Sequence, residues 1–375
     1  MKKVRDSNYE LLRIVSMFFI VFYHALVHGH VIDNAANEGI RITAQFIEFF
    51  LIIHVNSFVL VTGYYQSKAK FKASKIWFLI TSSLFYKILI MVILSLLGII
   101  CLTKVEILRE SFFLNLNQYW FIQCYLFLYC LSPFINKLIA SLDKRNYLKL
   151  LLVLFVIMSI IPFISGNEVF DNNGYTLYNF VFLYLIGGYL RKYPIQQSYL
   201  FKRCSKQLFQ IICVMLFFFC LIANFSFYLT SSHLSSVNSV FGEIFSNFRD
   251  MALCYSNPFI LLQSIAFFAF FGTLDIKSSV INKLSSLTLG IYLIHENNFI
   301  RSHVYQWLRI DQGAVTSYQF LLYVLLMSVV LFFACALIEW LRQVLFRFIA
   351  NRKVSLRIRQ KYHQWVSNIK ILKDG

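Results

Sequence analysis

Charge is scarce in this sequence. Only 14% of its 375 residues are Asp, Glu, Lys or Arg, against 59% hydrophobic, where a soluble domain carries roughly a quarter charged residues. A soluble globular enzyme of this length is excluded. Proline and glycine are sparse as well, at 4 and 13, so little interrupts a helix. The apolar runs are continuous and do not alternate in short segments, which excludes an outer-membrane barrel. The eight cysteines, Cys101, Cys124, Cys130, Cys204, Cys213, Cys220, Cys254 and Cys335, include no C-x-x-C pair and read as small core hydrophobes, neither a disulfide framework nor a metal site. There is no internal repeat, no inverted pair of broken helices and no low-complexity tract, which argues against a secondary transporter. A cleavable signal peptide is not indicated either, because the first apolar run is long, is flanked by Arg5 and Asp6 and lacks a small-residue cleavage site.

What is present is aromatic and apolar: 41 Phe and 22 Tyr, and a mean hydropathy of +0.65. The expected fold is all-α, a polytopic transmembrane bundle of about ten spans in one domain, residues 1–346, followed by a basic cytoplasmic tail, 347–375. A window of about 19–20 residues places the spans near 10–30, 43–64, 76–102, 118–138, 147–165, 176–190, 207–229, 257–273, 284–300 and 318–346. Alternate loops are basic: the N-terminus, Lys68–Lys75, Lys137–Lys149, Arg191–Lys206 and the tail. The others, such as "HVIDNAANEG" and "SGNEVFDNNG", are acidic or neutral. The positive-inside rule then puts both termini in the cytoplasm. The net charge of +18 follows from that topology, with no nucleic-acid partner required, and the tail segment "RKVSLRIRQKYHQW" suits anionic membrane lipids.

The first span, "YELLRIVSMFFIVFYHALVHGH", is polar at both ends. Arg13 and His24 are eleven positions apart, which at about 100° per residue puts both on one face, roughly 16 Å apart along the axis. Glu10 and Arg13 sit at the inner boundary, where an i,i+3 ion pair alone would explain them. His24 lies at membrane depth, where an ionisable group is costly and faces the bundle interior or water, and where a histidine can act as a base. His24 and His28 have the i,i+4 spacing of metal ligands, but no third ligand is evident, so no metal is expected.

These residues carry a resemblance. "NYELLRIVSMFFIVFYHA" resembles the first helix of the acyltransferase 3 family of bacterial membrane acyltransferases. "NSFVLVTGYY", "YWFIQCYLFLYCLSPFINKLI", "FLYLIGGYLRK" and "SLTLGIYLIHENNFI" resemble further segments of that family in the same order, over about residues 5–345. Thr62 stands where the family more often has Ser, and keeps the hydroxyl. The resemblance implies a multi-pass protein of the bacterial cell membrane that moves an acyl group, commonly acetyl, from cytoplasmic acyl-coenzyme A to a hydroxyl of a cell-surface or lipid-linked glycan. Either the bundle completes the transfer or a separate extracytoplasmic transferase does.

On that reading His24 is general base or acyl carrier, which sequence does not separate. Arg13 binds donor phosphate, Glu10 holds Arg13, and the basic turn with Lys72 and Lys75 assists. Glu48, at about the depth of His24, either orients the His24 imidazole or partners a packing residue. His295 serves catalysis or acceptor binding, or simply bonds Tyr292. Lys87, in mid-span, lies along the donor route or snorkels. Glu339 is expected to pair with Arg342. The rival reading is a glycan transporter, flippase or polymerase, which would spread its polar residues over many helices.

Overall fold

The computed structural model describes residues 6–112, 119–166, 173–235, 240–311 and 313–350. Among them every extended regular element is a helix, and the one β contact is an isolated bridge between Ala35 and Val315. In chain order come α1 (Ser7–His28), α2 (Glu38–Leu51), α3 (His54–Gln66), α4 (Ala73–Leu96), a short α5 (Lys104–Ser111), α6 (Trp120–Ser141) and α7 (Lys144–Phe155), which passes through a π-helical turn, Val156–Ile160, into α8 (Ile161–Ser165). Then follow α9 (Leu177–Lys192), α10 (Tyr199–Arg203), α11 (Lys206–Leu234), α12 (Val240–Asp250), α13 (Pro258–Gly272), α14 (Ser279–Ser285), α15 (Thr288–His295), α16 (Asn298–Trp307) and α17 (Tyr318–Ala350).

Among the described residues, seven segments are long and apolar enough to cross a membrane: α1, α2 with α3, α4, α6, α7 with α8, α11 and α17. The chain is a multi-pass membrane protein. Of the other three expected spans, two are helices at the expected positions but short, and the third is broken. That at 176–190 is α9, of 16 residues, and that at 257–273 is α13, of 15, about 24 and 22 Å by helical rise where a hydrocarbon core measures about 30 Å. That at 284–300 is not one helix but parts of α14, α15 and α16. The break before α16 has a local cause. The Asn297 side chain accepts from Phe299 N at 3.0 Å as an N-cap, while its amide donates to Tyr119 Oη at 2.9 Å, so the helix restarts there. The expected tail, 347–375, begins inside α17, and residues 351–375 lie outside the described residues.

Two apolar clusters make up most of the core. One joins the middle and far end of α1 to α4, α15 and α17, and the other joins Tyr9 and Leu12 of α1 to α3, α9 and α13. α1 is therefore the central helix, which is why polar groups on it are enclosed from both sides. Close backbone approaches hold the second cluster together. A Cβ on Gly63 would stand 2.3 Å from Tyr184 O, and one on Gly187 2.3 Å from Leu60 O, so α3 and α9 meet through small residues as membrane helices do. Lys192 Nζ donates to Ile139 O, Ala140 O and Leu142 O at 2.7, 3.1 and 2.6 Å, closing the carbonyl end of α6. Glu339 is buried, takes Arg342 bidentately at 2.8 and 2.8 Å and accepts Tyr86 Oη at 2.5 Å. The pair read from sequence thus also joins α4 to α17.

Candidate active site

His24, four residues before the end of α1, meets the end of α15. Its Nδ1 lies 3.2 Å from His295 Nε2 and 2.9 Å from Glu296 Oε2. The tautomers follow from the neighbours. His295 Nδ1 is 2.6 Å from Ile291 O and must donate to that carbonyl, which leaves its Nε2 as a bare lone pair. His24 Nδ1–H is aligned on that lone pair. Glu296 Oε2 sits beside the same N–H without an aligned donor of its own, held there by charge. The second oxygen, Oε1, accepts Arg301 Nη1 at 2.5 Å. His295 and Glu296 are 0% and 3% exposed, whereas the side chain of His24 keeps 15% and that of His28 32% of their surface. The cluster opens to one side, through the histidines of α1.

This arrangement fixes which end of His24 is reactive. With Nδ1 carrying the proton between His295 and Glu296, and with no hydrogen bond to Nε2 from the described residues, the Nε2 lone pair is available to accept a proton. A buried carboxylate beside Nδ1 then stabilises the imidazolium that results, as in hydrolase triads. The low dielectric strengthens that attraction.

Sequence reasoning expected Glu48 to be that carboxylate or a packing partner. The structure gives the place at His24 to Glu296, and Glu48, buried on α2, hydrogen-bonds the hydroxyl of Tyr23. Helical depth puts Glu48 and His24 at one level but does not say which faces meet. Neither Glu296 nor Arg301 was singled out. Glu296 had a signal, a carboxylate directly after His295 inside an apolar run. Arg301 had none, because its i,i+5 contact crosses a helix break. His295 is brought to His24, and its ring nitrogens go to His24 and Ile291, not to Tyr292.

At the other end of α1, buried Glu10 accepts Arg13 Nη1 at 3.3 Å and the hydroxyl of Ser285 on α14, while the Arg13 side chain remains 37% exposed. Lys75 Nζ donates to Gln66 Oε1 at 3.1 Å and lies 5.3 Å over the ring of Tyr129. Lys72 begins α4 with its backbone N–H on Tyr129 Oη at 2.9 Å and its side chain exposed. Lys87 does not snorkel. It is 1% exposed, with Nζ 2.8 Å from Glu110 Oε2 of α5.

Residues 6–340 match the model of a protein family described as an acyltransferase domain, acyltransferase 3, in agreement with the order of motifs along the chain. Neither the curated proteins nor the solved structures yielded a match.

Proposed function

We propose, from the premise that this chain belongs to the acyltransferase 3 family, that this membrane acyltransferase takes an acyl group, acetyl in the simplest case, from acyl-coenzyme A in the cytoplasm of a bacterium and gives it to a hydroxyl of a cell-surface or lipid-linked glycan. The observation that supports it best is His24, with Nδ1 shared between His295 and Glu296 and Nε2 left to react.

The acceptor hydroxyl passes its proton to His24 Nε2 as its oxygen attacks the thioester carbonyl. The C–S bond then breaks, and the departing thiolate recovers the proton from Nε2. Glu296 is a positioning residue in this scheme, stabilising the imidazolium, and Arg301 holds Glu296. General-base assistance of this kind contributes about 10²–10⁴-fold. Arg13, steadied by Glu10, with Lys72 and Lys75, supplies cations for the donor's phosphates. The roughly 16 Å of helix between Arg13 and His24 is spanned by the donor's flexible arm. Lys87, on Glu110, orders the wall of α4 instead of meeting the donor. Acceptor choice rests with the external loops or with a separate extracytoplasmic transferase.

The test is complementation. Cells lacking the protein re-express wild type or His24→Ala at equal membrane abundance, and ester-linked acyl groups on isolated surface glycans are scored by NMR. Wild type should restore the ester and His24→Ala should not. Ester levels unchanged by loss of the protein, or fully restored by His24→Ala, would defeat the mechanism.

A further inference from the structure

The atoms that hold His24 in place are also a set of metal ligands. His24 Nδ1, His295 Nε2 and Glu296 Oε2 all lie within 4.8 Å of one another, two of the separations being 3.2 and 2.9 Å. Zinc takes imidazole nitrogen at about 2.0–2.1 Å and carboxylate oxygen at about 2.0–2.2 Å in tetrahedral geometry, which sets neighbouring ligand atoms about 3.3 Å apart. The surroundings match a metal's outer layer too. His295 gives its other N–H to a backbone carbonyl, and the second oxygen of Glu296 is hydrogen-bonded to Arg301, the two devices that fix ligand imidazoles and carboxylates. Glu296 is 3% exposed, yet its inward oxygen has no aligned donor. His28 Nε2 stands 4.0 Å from that oxygen and is the most exposed of the group, on the path an ion would take. The sequence offered His24 and His28 alone, and the missing ligands arrive from the end of α15.

We propose that His24, His295 and Glu296 form a site for a divalent ion of the zinc class, and that an ion held there switches acyl transfer off. The ion takes the Nδ1 lone pair of His24, and the Nδ1 proton is exchanged through solvent for one on Nε2, so the ring stays neutral and Nε2 no longer has a lone pair to accept a proton. His24 then lacks the N–H through which Glu296 stabilises its protonated form. The cation of Arg301 beside Glu296 opposes a second positive ion, so occupation is reversible. The inhibition rests on the acyl-transfer reading above, whereas the binding does not.

The experiment uses the full chain in detergent micelles, titrated with Co²⁺ as a spectroscopic stand-in for zinc. The expected result is one ion per chain with tetrahedral visible bands, displaced by Zn²⁺ but not by Mg²⁺. Binding should weaken about 10-fold or more in Glu296→Gln and in His295→Ala and be unchanged in His30→Ala, which removes an exposed imidazole elsewhere. No bands in wild type, equal displacement by Mg²⁺, or undiminished binding in both Glu296→Gln and His295→Ala would overturn the site. Zinc bound at one equivalent with ester formation unaltered would overturn the inhibition alone. Metal bound as described in a protein that never forms glycan esters would uphold the site and overturn the transfer reading.

Discussion

At the scale of single residues, Glu296 and Arg13 separate two roles that a loss of activity alone would confuse. Glu296 touches only the far side of the His24 ring, so Glu296→Gln should lower kcat by about 100-fold, within the range of general-base assistance, and leave the KM for acyl-coenzyme A within twofold. Arg13→Ala should do the reverse. Loss of a charged hydrogen bond, about 1.5–3 kcal/mol, should raise donor KM by about 10-fold or more with kcat largely kept, as initial rates in proteoliposomes would show. Arg13, His24 and His295 were readable from the chain, the first two because one continuous helix converts spacing into position. The partner of His24 was not readable. Two carboxylates, Glu48 and Glu296, were available near one depth, and only the packing of α15 against α1 selects between them.

At the scale of elements, the breaks and the close approaches are what hydropathy does not report. A window average treats 43–64 as one span, yet the helix pauses between α2 and α3, just before His54, whose two ring nitrogens find no hydrogen-bond partner among the described residues. The same average runs 284–300 together and so conceals the helix end that delivers His295 and Glu296. Contact between α3 and α9 is equally silent in composition, since Gly63 and Gly187 only matter because the backbones touch there. Gly63→Leu and Gly187→Leu should each destabilise the protein by at least about 1–3 kcal/mol, as overpacking does. Thermal unfolding in micelles checks this, with Gly98→Asn as the control. Gly98 has φ +69° but nothing within 4 Å of an added Cβ, so a residue tolerant of that backbone should cost much less. Equal losses at all three positions would rule out the close approach as the cause.

At the scale of the whole molecule, the alternation of basic and acidic loops predicts which side each faces. Cys101 is exposed in the loop after α4, and Cys204 is partly exposed before α11. A membrane-impermeant maleimide should label Cys101 on intact cells and Cys204 only after permeabilisation, and the opposite pattern would reverse the orientation. Cys130 is exposed as well, but it lies within a span and should face lipid and stay unlabelled. One further feature bears on how the chain is made. Lys87 and Glu110 meet at 2.8 Å in the finished protein, yet Lys87 is synthesised 23 residues earlier. During translation its ammonium therefore emerges ahead of its carboxylate, at a position where a lysine costs about 2.5–3.5 kcal/mol to insert. The apolar remainder of α4 must carry it in, and α5 then acts as a latch fastened afterwards. A chain interrupted between the two would be the form most exposed to quality control.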